Sequence, residues 1–155
     1  MADSVSVQRT IAAPAERLWD LIADLPGMGR WSPENTGGSW VGGATGAAVG
    51  ARFRGTNASG SKRWSTTSEI VTADRPSEVA WDVTVGPLGV ARWHYRFEPS
   101  GSGTVVTETW TDHRNPVVAF LSGRAAGVTD RGAHNCAGME ETLRRLAEAV
   151  EQPGA

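Results

Sequence analysis

The sequence predicts an α+β fold: a curved antiparallel sheet of about seven strands wrapped around a long C-terminal helix, with two short helices at one end. Three observations carry that prediction. Residues 37–113 keep an apolar/polar period of two through successive segments. The breaks between those segments are short and rich in Gly, Pro, Asn and Asp, which suits hairpins and leaves no length for parallel crossovers. After Pro116 the period changes to that of a helix, and it is the longest element available to cover the sheet's apolar face.

The elements follow in order. Ser4–Ile11 alternates through Val5 and Val7 and reads as a strand. Pro14 suits the first turn of a helix, where its missing N–H costs nothing, and Glu16 favours the same end through the helix dipole. Leu18, Trp19, Ile22 and Leu25 recur at helical spacing, so a helix is expected over Pro14–Asp24, with a second short turn at Met28–Trp31 beyond Pro26 and Gly27. Strands are expected at Ser39–Val41, Ala51–Thr56, Lys62–Thr72, Ser77–Val85, Val90–Glu98 and Thr104–His113. A helix then runs from Pro116 to Val150, where Gln152-Pro153-Gly154 stops it. Its stripe is Met139, Leu143, Leu146, Ala147 and Val150, with Glu140/Arg144 and Glu141/Arg145 as i,i+4 pairs on the other side. Residues 1–151 are expected to form a single domain, with 152–155 a tail.

Composition removes several classes of function. The 155 residues are 39% hydrophobic and 21% charged, with a net charge of −2. That balance argues against nucleic acid as a partner, because phosphate binding needs a concentrated positive excess. Cys136 stands alone and cannot form an internal disulfide. The N-terminus carries no basic cluster followed by an apolar run, and no stretch has the length to cross a membrane. The expectation is a cytoplasmic protein without membrane insertion, a monomer or homodimer. No cofactor and no metal are expected: His134 and Cys136 diverge by about 200° on a helix, and the sequence holds no Walker loop, nucleophile elbow or dinucleotide fingerprint. Gly42-Gly43-Ala44-Thr45-Gly46 reads as a flexible hairpin at a cavity entrance.

Strand alternation assigns side chains to faces. Trp93, Tyr95 and Phe97 share one face of their strand, with His94 on the other; Trp64, Thr66, Ser68 and Ile70 share a face, as do Val79, Trp81 and Val83. In the last strand Val106, Glu108 and Trp110 oppose a row of Thr, and since Thr rows usually face solvent the Glu108 side is taken as concave. An inward carboxylate is expensive unless hydrogen-bonded, paired or protonated. Glu108 is therefore a residue near the rim, one tied to Arg or Thr across the sheet, or a functional group. On the C-terminal helix the inward direction runs through Val128, Gly132, Asn135 and Cys136 before reaching bulky Met139. Small and polar residues in that first half leave a void against the sheet, unless the seven Trp fill it as a solid core. His134 projects away from the stripe, His113 ends the last strand near the expected mouth, and Cys136 reads as a small hydrophobe rather than a nucleophile.

The chain resembles the START, Bet v 1 and polyketide cyclase/dehydratase superfamily (SRPBCC), and its bacterial polyketide-cyclase-like members in particular. The likeness spans nearly the whole chain. It is carried by the 11–19 segment, by Met28–Pro33, Gly50–Gly55, Arg63–Ile70, Trp81, Gly103-Thr104, Thr107-Glu108 and the closing helix. It implies the helix-grip fold and a hydrophobic small-molecule ligand of lipid, polyketide or isoprenoid type. The expected ligand-binding residues are Phe53, Trp64, Thr66, Ser68, Trp81, Trp93, Tyr95, Glu108, Trp110, Val128, Gly132, Asn135 and Met139. The alternative is an aromatase/cyclase or dehydratase working in the same cavity, with Glu108 the best candidate general base and Asn135 or Arg131 stabilising an enolate. An interaction module like the superfamily's chaperone-activating members is a third possibility, resting on fold analogy alone.

Overall fold

The computed structural model describes residues 4–126 and 130–151, so the 152–155 tail and Val128 lie outside the described residues. Seven strands, β1 (Ser4–Ile11), β2 (Asn35–Val41), β3 (Arg52–Ser59), β4 (Lys62–Asp74), β5 (Glu78–Val85), β6 (Leu88–Ser100) and β7 (Gly103–Asp112), form one sheet. The order across it is β1-β7-β6-β5-β4-β3-β2, and every neighbouring pair is antiparallel. Strands β2 to β7 are thus a meander, as their short turns require. Helix α1 (Ala15–Ala23) and a 3₁₀ turn (Leu25–Arg30) connect β1 at one edge to β2 at the other, while α2 (Pro116–Ala126) and α3 (Arg131–Glu151) follow β7. This is the expected helix-grip arrangement.

The C-terminal helix differs from expectation in being two helices. The Asp130 carboxylate accepts the Ala133 N–H at 3.0 Å and so starts α3 afresh, and Asn115 does the same for α2 by accepting the Val118 N–H at 2.8 Å. On the outer side of α3, Glu141 pairs with both Arg144 and Arg145, and Arg144 also reaches Glu148; the expected Glu140/Arg144 pair does not form.

One end of the molecule is closed by packing. Leu18, Trp19 and Ile22 on α1, Ile11, Phe97 and Val106 on the sheet, and Leu143 and Leu146 on α3 are all buried together. The Trp19 indole N–H donates to the Glu78 carbonyl at 2.7 Å, the Thr104 hydroxyl donates to the Ala13 carbonyl at 2.8 Å, and the Ala12 N–H donates to the Glu151 carboxylate at 2.8 Å. Gly103 is required there, since a Cβ on it would stand 2.5 Å from the Ile11 carbonyl oxygen. The convex face of the sheet is polar: Arg92 forks onto Asp82, His94 bonds Glu78, and Ser6 and Gln8 bond Thr109 and Thr107. Alternation therefore leaves the opposite row of β7, which includes Glu108, on the concave side.

Candidate functional site

The first half of α3 meets the sheet at β1 but stands off strands β4 to β7, and a cavity of about 500 Å³ lies between them. Two cross-strand rows make its sheet wall. Trp81, Trp93 and Trp110 lie directly opposite one another on β5, β6 and β7. Two residues along, Val79, Tyr95 and Glu108 form the next row on the same face. Trp81 and Trp110 are buried, whereas Trp64 and Trp93 are only half-buried and stand nearer the opening. The tryptophans line the space without filling it. Trp81 stacks on Tyr95 with ring centroids 5.6 Å apart, which fixes the Tyr95 ring and aims its hydroxyl along the sheet.

That hydroxyl donates to Glu108 Oε1 at 2.5 Å, and Glu108 is 2% exposed. Its other oxygen, Oε2, is buried with no hydrogen-bond partner in the protein. Burial pushes the Glu108 carboxyl up from its ordinary 4.5 to about 8, although the Tyr95 hydrogen bond pulls the other way. Burial also raises Tyr95 well above 10, and the neighbouring carboxyl adds to that. Burial therefore favours the protonated form of Glu108 near neutrality. The residue is neither at the rim nor tied to Arg or Thr.

The opening is built differently. Arg131 on α3 donates to both carboxylate oxygens of Glu34 at 3.0 Å, and His134 Nε2 meets the same carboxylate at 2.8 Å. The Arg131 guanidinium also lies 5.6 Å over the Trp64 ring. Arg114 forks onto Asp112, whose carboxyl is raised by burial but held below its ordinary value overall by Arg114. Around these ion pairs the rim is apolar. Val85, Leu88 and Leu121 line the cavity while 44%, 47% and 59% exposed, with Phe120 exposed beside them on α2.

The cavity brings together Trp64, Thr66, Ser68, Trp81, Trp93, Tyr95, Glu108, Trp110, Asn135 and Met139 from the sequence-derived set. It leaves out two of the described residues. Phe53 is buried against Trp40 at the β2–β3 edge, with ring centroids 5.6 Å apart. Gly132 faces Val5 of β1 instead, with a Cβ position 4.0 Å from the Val5 methyl. The reason lies in α3's rotation. Its cavity-facing residues, Arg131, Asn135, Gly138 and Thr142, sit about 40–100° around the helix from Met139, whereas Gly132 falls on the Met139–Leu143 side that meets β1. The same rotation brings in His134, which the sequence had placed away from the site. His113 stays out, and its neighbour Arg114 takes the position near the mouth. The Gly42–Gly46 hairpin is also elsewhere: Thr45 and Gly46 line a shallow recess with Trp19 and Ala23 beside α1. Glu34 was missed because it lies far from α3 in sequence, and only the fold joins it to Arg131.

Among the described residues no three His, Cys, Asp or Glu side chains gather to hold a metal, and no helix is long and apolar enough to cross a membrane.

Comparison with known proteins is consistent with this architecture. The family described as polyketide cyclase/dehydrase and lipid transport matches residues 2–151. A polyketide-cyclase-like protein of Corynebacterium glutamicum, solved by NMR, is 29% identical, with a TM-score of 0.66 over 97% of this chain and 93% of that one. Major latex-like protein 151 of Panax ginseng superposes with a TM-score of 0.73 at 15% identity, covering 98% of this chain and 99% of that one. A Deinococcus radiodurans protein gives 0.69 at 18% identity, covering 96% and 98%. No curated protein matches the chain by sequence.

Proposed function

Because this chain belongs to the polyketide cyclase/dehydrase and lipid transport family, we propose that it binds a hydrophobic or aromatic small molecule between the concave face of its sheet and the first half of α3. The observation that carries this reading is the cavity itself. Its volume of about 500 Å³ suits a drug-sized apolar molecule, and it is walled by Trp64, Trp81, Trp93 and Trp110. Lipid, polyketide and isoprenoid skeletons all have the required apolar bulk. Thr66, Ser68 and Asn135 supply polar atoms around it that orient substituents.

The reading is tested with the uncharged dye N-phenyl-1-naphthylamine and by native mass spectrometry of freshly purified protein. Saturable one-to-one dye binding with tryptophan quenching is expected. Gly138→Leu should reduce it at least tenfold, because Gly138 lines the cavity and a Cβ there makes only ordinary contact, 3.7 Å from Pro33, so the added bulk enters free space. Absence of saturable binding, or full binding by the Gly138→Leu protein, would overturn the reading.

The Tyr95–Glu108 pair favours a second reading, proton transfer in the same cavity by a cyclase or dehydratase. A carboxyl poised at about 8 is matched to general acid–base work near neutrality. On this reading Glu108→Gln keeps dye binding and loses turnover of a polyketone substrate.

A further inference from the structure

We propose that Glu108 donates a hydrogen bond from Oε2 to the ligand, so that the cavity selects neutral apolar molecules bearing a carbonyl or similar acceptor oxygen. The proposal rests on the cavity being the ligand site and adds what the ligand must present to it. The argument begins with Oε1. It already accepts the Tyr95 hydroxyl at 2.5 Å, so the proton of the neutral acid belongs on Oε2. Oε2 has no acceptor in the protein, and Glu108 is one of the residues lining the cavity. A buried donor without a partner is costly, and a ligand acceptor removes that cost.

A carboxylate or phosphate ligand is disfavoured at this position, because the sheet wall beside Glu108 is Trp93, Tyr95 and Trp110. The charged and titratable groups facing the cavity from its elements are Tyr95 on β6, Arg63 on β4, Glu34 before β2, Arg114 after β7, and Arg131 and His134 on α3. Only Tyr95 touches Glu108. Glu34 takes Arg131 and His134, and Asp112 takes Arg114. Among the described residues no cation pairs with Glu108, in keeping with its raised affinity for a proton.

The test compares 2-acetylnaphthalene with 2-ethylnaphthalene, which share a ring system and differ in the ketone oxygen. Equilibrium dialysis is run at about pH 6 and about pH 9, on either side of the Glu108 transition. Wild-type protein should bind the ketone roughly five- to tenfold more tightly than the hydrocarbon at the lower pH, relative to their water–octane partitioning, and lose that preference at the higher. Glu108→Met should bind both with no preference at either pH. Glu108→Gln should keep the preference at both, since its amide accepts from Tyr95 and donates where Oε2 did. If Glu108→Met does not fold, the wild-type and Glu108→Gln profiles decide the matter alone. Equal treatment of the two probes by wild type at pH 6 overturns the donor while leaving the cavity reading intact. Failure to bind either probe overturns both.

Discussion

The cavity's floor and its rim solve the problem of polar groups in opposite ways. At the rim carboxylates are matched by cations: Glu34 is shared by Arg131 and His134, and Asp112 is forked by Arg114. At the floor a single carboxyl sits in an apolar wall with one of its two oxygens unmatched. Ion pairs near water are cheap to form and cheap to break. A buried carboxyl is neither, and stays by remaining protonated. The rim thus joins α3 to the segment before β2, whereas the floor presents the one carboxyl through which, on the proposal above, the cavity recognises its ligand.

The contrast breaks most visibly in the dependence of stability on pH. Glu108 binds its proton more tightly folded, at about 8, than unfolded, at about 4.5. Between those values the folded state holds more protons, so stability should fall as pH rises from about 4.5 to about 8 and level off above. The loss attributable to Glu108 is on the order of a few kcal/mol. Urea denaturation of wild type and Glu108→Gln across that range measures it directly. Parallel profiles for the two proteins would show that the floor carboxyl is not held neutral.

The rim should give a smaller effect of another kind. In a double-mutant cycle of Glu34→Gln and Arg131→Met, the coupling energy is expected to be about 0.5–1 kcal/mol at low salt and to shrink as salt is added. The two side chains are 23% and 13% exposed, so solvent screens the pair only in part. The same substitutions should speed dissociation of N-phenyl-1-naphthylamine more than they change its association. A coupling that salt leaves untouched would place this pair in the floor's class.

Much of the site was legible in the sequence, and the part that was not has a physical cause. Period two put Trp81, Trp93, Trp110, Tyr95 and Glu108 on one face, because alternation survives wherever the register is regular. Glu108's burial followed from the Thr row opposite it. Its pairing with Tyr95 did not, since that needs the β6–β7 register. Helical projection failed for Gly132 and His134 because the first half of α3 shows the cavity a different side from the one its second half packs on the sheet. The break between α2 and α3 did have a signal. Asp130 is a residue of the type that begins helices, and a single helix drawn from Pro116 to Val150 passed over it. The Glu34–Arg131 contact spans the chain and leaves no local trace.

The measurement that bears most directly on this account is the titration of Glu108 itself, by the infrared carbonyl band that wild type has and Glu108→Gln lacks. The account predicts a protonated carboxylic acid band that persists at pH 7 and fades around pH 8. A carboxylate already formed at about pH 6 would contradict it.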